Sequence, residues 1–201
     1  MAAGLSRLQA DCRVVIMGPS RRVPFRGVAA SAAEGWDSPL GWLMVDREAY
    51  APIADLPAAR QLEEAHAAEA CIELQIPFLK HLRPDDSIVP VLVGDIGVGQ
   101  LANVVARLWT PDSVLVVTSE LSEGRSRDDA VAYDKRTLEL VEGGDVDGLD
   151  DRELSGRRIV QAMLEVAAER GLRASTVCAT NSADHGGPDD VTVGYASVVV
   201  S

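Results

Sequence analysis

Two carboxylates three positions apart follow a continuous apolar run. In "VLVVTSELSEG" these are Glu120 and Glu123, with Ser119 just before them. Paired carboxylates at the mouth of a strand serve as general acid and base, or as hard-metal ligands. The same residues also read as an acidic helix cap, with Ser/Thr at the cap and acids in the first turn. A second polar cluster, "NSADHGGPDD", carries Asp184 and His185 in a loop that leaves a strand, where ligand contacts concentrate. Near the start, "CRVVIMGPSRRVPF" ends an apolar run in Gly-Pro-Ser and then places Arg21 and Arg22 after Ser20. Two guanidiniums beside a strand-end turn clamp an anion through charge-assisted bonds, or pair with the chain's own carboxylates. Ser20, Arg21, Arg22 and Ser119 are therefore candidate ligand-binding residues. Glu120, Glu123, Asp184 and His185 are the candidate catalytic set.

The other histidines and the cysteines read more plainly. His66 sits in a Glu/Ala-rich run and His81 near a helix end, with no second histidine one turn away, so both read as solvated or capping residues. Cys12, Cys71 and Cys178 are odd in number and widely spaced. They make neither a disulfide framework nor a thiolate zinc site, and suit a reducing cytoplasm. Each reads as a small buried hydrophobe. The glycines of "HGGP" match no phosphate-binding spacing.

Strands and helices alternate behind these residues. "RVVIMG", "GVAASAA", "SIVPVLVG", "SVLVVTSEL", "RASTVCATN" and "VTVGYASVVV" read as strands, and "WDSPLGWLMVD" as a turn followed by a short strand. "SVLVVTSEL" is a continuous apolar run of the kind buried on both faces. Residues 2–10 read as the end of a helix and residues 46–56 as a short helix interrupted at Pro52. Residues 62–82 form a helix with Leu62, Ala65, Cys71, Leu74 and Phe78 at helical spacing, kinked or divided by Pro77. Further helices span 97–108, 126–142 and 151–170, the last closed by Gly171. Between them "GGDVDGLDD" is an acidic turn and "ADHGGPDD" a loop. The alternation predicts an α/β fold, a sheet layered between helices, in a single domain over residues 1–201. The last strand follows another strand without a helix, so the sheet is expected to be mixed.

Hydrophobic residues make up 47% of the 201-residue chain and aromatics 4%, so the core must rest on Val, Leu, Ile and Ala. A formal charge of −12 argues against nucleic acid and against an anionic membrane surface. No apolar run approaches the ~20 residues that span a bilayer, and the N-terminus lacks a signal pattern.

The blocks in their order resemble the Memo family, protein B of the AmmeMemoRadiSam set, which is similar in fold to the class III, LigB-type extradiol dioxygenases. "VVIMGPSRRVPF" resembles the family's strand and Gly-Pro-Ser-His. "SPLGWLMVDREA" resembles its Pro-Leu-Gly and Val-Asp-Arg segment. "EACIELQIPFLKHL" with "IVPVLVGD" resembles its Glu-His-Ser-Ile-Glu helix and next strand, and "VVTSELSEG" its Ser-Ser-Asp-x-Ser-His turn. "LSGRRIVQAML" and "ATNSADHGGPDDVTVGYAS" resemble its Cys-Gly-Arg helix and closing block. The resemblance implies a three-layer αβα sandwich of LigB type, with a mixed, mostly parallel sheet. It also implies a strand-end pocket that holds metal-binding or catalytic histidines, with a cysteine in some members.

At those positions this chain has Arg21, Ala70 (after Glu69) and Glu123, and the late cysteine falls near Asp184 or His185, with Cys178 further back on its strand. The family's early Pro-His-Ala-Gly-Tyr segment has no counterpart in the blocks. Guanidinium has no lone pair to give a metal. The expectation is a divergent, non-catalytic member without the Fe(II) site or another cofactor, which binds a small anionic molecule or a protein partner. Arg21 and Arg22 would then face Glu120, Glu123 or Asp184. The competing expectation is an extradiol dioxygenase-like or hydrolytic enzyme with a redesigned pocket around Glu120, Glu123, Asp184 and His185. A missing first strand would leave a sheet edge for a second subunit to cover.

Overall fold

The computed structural model describes residues 13–150, 152 and 154–201. The helix expected over residues 2–10 and Cys12 lie outside the described residues. The first apolar run becomes β1 (Arg13–Pro19), whose residues Val14 to Met17 are fully buried. It sits inside a five-stranded sheet ordered β5-β2-β6-β1-β7, with β2 at Val28–Ala30, β5 at Ala59–Gln61, β6 at Ile88–Val93 and β7 at Ser113–Val117. β1 runs parallel to β6 with Val14 opposite Ile88, and parallel to β7 with Val14 opposite Val114. β2 is parallel to β5 but antiparallel to β6. The architecture is therefore α/β around a mixed, mostly parallel sheet.

The mixture does not come from the expected place. β9 (Ala174–Asn181) and β10 (Thr192–Val200) form a separate antiparallel sheet with β8 (Glu123–Arg125), in the order β8-β10-β9. In the main sheet it is β2 and β5, parallel to each other, that run opposite to β6, β1 and β7. β7 also differs from expectation. It is half-buried along most of its length, because it lies at the edge of the sheet with β1 as its only partner strand there. A short hairpin of β3 (Gly35–Trp36) and β4 (Leu43–Met44) completes the strands. The short helix expected over 46–56 is a 3-10 helix, Glu48–Ile53, with Pro52 inside it.

The single helix expected over 62–82 is divided. α1 (Glu63–Ala68) ends at Glu69, whose backbone is extended. A 3-10 turn, Glu73–Gln75, leads into α2 (Ile76–Leu82). Pro77 lies in the first turn of α2, where its missing N–H costs nothing, so it starts the second helix rather than ending the first. The break comes at Glu69, whose carboxylate is drawn to the end of β1. The apolar register shifts with it: Ile72, Ile76 and Leu79 are buried, while Leu74 and Phe78 are 64% and 47% exposed.

α3 (Val98–Leu108) and α5 (Arg157–Glu169) pack against each other, α5 also meets β1, and α1 meets β2. Helices flanking the sheet in this way are consistent with a three-layer sandwich. α5 starts six residues later than expected, because the residues before it bond to the loop after β7; Gly171 closes it as expected, at φ +70°. α4 (Arg127–Gly143) packs on β9 and β10. The main core surrounds the five-stranded sheet, and a smaller cluster of Leu140, Val141, Leu149 and Leu164 sits with Ala174 and Val198. Among the described residues no helix is long and apolar enough to cross a membrane.

Candidate functional site

The candidate residues gather where β1 and β7 end. Ladder bonds continue past the strands: Ser20 N donates to Val93 O at 2.8 Å, and Thr118 N to Met17 O at 2.8 Å. This brings the "GPSRR" turn and the "TSELSE" loop side by side. Gly18 makes the closeness possible. A Cβ there would lie 2.5 Å from Cys71 Sγ and 2.7 Å from Thr118 Oγ1. Burial pushes the Cys71 thiol up to about 11, against the pull of the Thr118 hydroxyl. A neutral thiol is a poor nucleophile.

The acidic loop is fixed from three sides. Gly156 N donates to Ser119 Oγ at 2.9 Å, and Glu120 N donates to Ser155 Oγ at 2.9 Å, which ties the loop to the start of α5. Ser122 N donates to Asp134 Oδ1 of α4 at 2.9 Å. Gly194 of β10 exchanges bonds with the loop as well, with its N on Ser122 O and its O receiving Leu121 N. Gly194 has no room for a side chain, since a Cβ would lie 1.7 Å from Asp134 Oδ2. Asp134 is buried, and that burial raises its pKa against the bonds from Ser122 and the charges of Arg152 and Arg125. Ser119 and Ser20 are spent on local structure. The Ser119 hydroxyl donates to Glu120 O, and the Ser20 hydroxyl to Val23 O at 2.8 Å.

Arg21 stands at the centre of this arrangement. One guanidinium nitrogen bonds Glu120 Oε2, and another lies 3.9 Å from Glu123 Oε2. Its backbone N–H donates to Glu69 Oε2 at 2.7 Å. Three carboxylates therefore converge on one arginine. Arg22 is exposed and has no ion-pair or hydrogen-bond partner among the described residues.

The late loop does not join this group. Asp184 does not face Arg21 or Arg22; it is bound by Arg127 at 2.5 Å and accepts from Thr180 Oγ1 at 3.1 Å. Burial would raise its pKa, but the bonds from Arg127, Thr180 and the Asn181 backbone outweigh it and hold the carboxyl low. Asp184 also closes a capping box with Asn181 on the 3-10 turn Ser182–His185, so the expected loop is partly ordered into helix. His185 lies 3.1 Å from the same Thr180 hydroxyl. Among the described residues no three His, Cys, Asp or Glu side chains are grouped to hold a metal ion.

Two other expectations change. His66 is buried rather than solvated, because its ring is drawn under Trp36 and onto Ala29 O. Cys178 is exposed, not a buried hydrophobe, since it lies on the second sheet outside the main core. Sequence reasoning gave no role to Glu69, Ser155 or Asp134, which position the turn and the loop. The only available signal was Glu69's place beside Ala70.

A family model described as "Memo-like protein" matches residues 1–199. A MEMO1 family protein of Saccharolobus islandicus (strain Y.G.57.14) is 27% identical over 197 residues, covering 90% of this chain and 69% of its own. One from Thermoplasma volcanium is 27% identical over 198 residues, covering 92% and 72%. One from Saccharolobus solfataricus is 26% identical over 197 residues, covering 90% and 69%.

Proposed function

The chain belongs to the Memo-like protein family, and on that premise we propose that it is a divergent member whose strand-end site binds a small anion instead of carrying out metal-centred catalysis. The observation that carries this reading is Arg21. It occupies the position the resemblance assigns to a histidine, and its guanidinium lies against Glu120 and Glu123. An imidazole gives a metal a lone pair; a guanidinium has none and brings a positive charge. The donor set at the strand ends therefore does not fit a divalent ion. Ala70 and Glu123, at the other two such positions, supply a methyl group and a carboxylate already facing Arg21.

The same residues suit a carboxylate or phosphate. Arg22 is exposed and has no partner among the described residues, and Arg21 offers a planar fork to which an anion binds with two parallel bonds. Glu120 and Glu123 compete for that fork, so binding is weak in the natural protein. The alternative, an acid–base set of Glu120, Glu123, Asp184 and His185, has less support. Asp184 is held by Arg127 and Thr180, and His185 lies against the same threonine.

Calorimetric titration of citrate and phosphate tests the proposal. The wild type should bind weakly, Arg21→Ala/Arg22→Ala should abolish binding, and Glu120→Gln/Glu123→Gln should strengthen it. Binding that ignores both double variants, or purified protein carrying stoichiometric Fe, Mn or Zn, overturns it.

A further inference from the structure

A cleft separate from the Arg21 cluster lies between the β3–β4 hairpin and α1. Its volume is about 200 Å³ and its walls are Trp36, Asp37, Glu63, His66, Ala67 and Glu73. No lysine or arginine lines it. The carboxylate of Glu63 is already engaged, accepting from Ser31 Oγ at 3.0 Å and Ala32 N at 2.7 Å. Asp37 and Glu73 are exposed, and their carboxylates have no partner among the described residues.

His66 is the unusual wall. It is 6% exposed, and its ring meets Trp36 edge to face with centroids 5.6 Å apart. Nε2 lies 3.1 Å from the carbonyl of Ala29, which can only accept, so Nε2 carries the proton. Nδ1 is then a bare acceptor, and it is buried with no hydrogen-bond partner. Burial lowers the imidazole pKa against the pull of Ala29 and Glu63, which keeps this neutral tautomer in place. Buried polar atoms without partners are rare in folded proteins and call for an explanation.

We propose that this cleft binds a small organic cation through a primary ammonium or guanidinium group. Asp37 and Glu73 neutralise the charge, Nδ1 of His66 accepts one N–H, and the Trp36 ring offers its face to the cation. The lining carries lone pairs and negative charge; the His66 Nε2–H is spent on Ala29 O, which leaves the Trp36 indole N–H as the side-chain donor of the lining not already engaged. An anion or a pure acceptor finds almost nothing to bond there. The size suits a head group of a few heavy atoms.

The test uses n-butylammonium and n-butylguanidinium as probes, with n-butanol and acetate as controls. Binding is followed by calorimetry and by the nitrogen-15 shifts of the His66 ring. Saturable binding of one of the cations, with a shift at Nδ1, is the expected result. Asp37→Asn/Glu73→Gln changes two exposed side chains, leaves the core untouched, and should weaken binding about tenfold or more. The proposal fails if neither cation saturates, if the double variant binds as tightly as wild type, if His66 does not respond, or if n-butanol or acetate binds equally well.

Discussion

Arg21 is neutralised on one side by Glu120 and Glu123 and held through its backbone by Glu69, and each contact reaches a distant part of the chain. Both ion pairs are well exposed, so their worth to stability is small, about 0–1 kcal/mol each. The steric fit beneath them matters more. Gly18 is packed against Cys71, Thr118 and Ile72, with a Cβ there 3.3 Å from Ile72 Cγ1 and closer still to the other two. Gly18→Ala should therefore destabilise by about 1–3 kcal/mol through overpacking. Gly99, in α3, provides the contrast, because a Cβ there meets nothing within 4 Å. Gly99→Ala should stabilise, since alanine loses less freedom in a helix, but by less than the roughly 0.5–1 kcal/mol of a mid-helix glycine because Gly99 lies in the first turn of α3. Urea denaturation of both variants checks the pair of signs; a neutral Gly18→Ala would mean that the turn and the loop are not tightly apposed.

At the level of elements, Asp134 on α4 holds the acidic loop, and its burial sets a pH dependence. Its folded pKa is raised, so the fold favours the protonated carboxyl. The stabilising contribution is full below the ordinary carboxylate range and is lost as pH rises through that range towards the folded value. Asp134→Asn keeps an acceptor for Ser122 N and removes the buried charge. It should be more stable than wild type near pH 7, with the gap closing as pH falls into the ordinary carboxylate range. A variant less stable at neutral pH would show that Arg125 and Arg152 outweigh the burial. The elements also show how far the sequence can be read. β1, β6, α3 and α4 follow from local pattern, an apolar run or an amphipathic period. The pairing of Arg21 with Glu120 follows from their opposite charges together with the strand-end pocket that the family resemblance implies. The division of 62–82, the edge position of β7 and the second sheet were not foreseen. Each depends on a partner dozens of residues away, such as the Arg21 N–H that draws in Glu69, and local periodicity carries no trace of it. The burial of His66 is of the same kind.

For the whole molecule, 31 acidic against 19 basic residues give a formal charge of −12. The exposed pairs Arg158–Asp95, Arg107–Asp55 and Arg136–Glu139 are weakened by salt, but such pairs contribute little to begin with. Repulsion summed over the whole surface outweighs them. Raising NaCl from about 0.01 to about 0.1 M shortens the screening length from ~30 to ~10 Å. The melting temperature should therefore rise over that interval. A flat or falling curve would show that local pairs dominate.

The position of β1 in its sheet has a consequence during synthesis. Its neighbours are β6 and β7, and Val14 must wait for Ile88 on one side and Val114 on the other. At about 5–20 residues per second, the roughly 100 residues separating Val14 from Val114 take about 5–20 s to emerge from the ribosome. Throughout that interval a strand whose residues Val14 to Met17 are fully buried in the fold has an open edge on at least one side. Pairing at such sequence separation is also slow once the chain is complete. Co-expression of a holding chaperone, which shields the segment from Arg13 to Pro19 until its partners arrive, is therefore expected to raise the yield of folded protein.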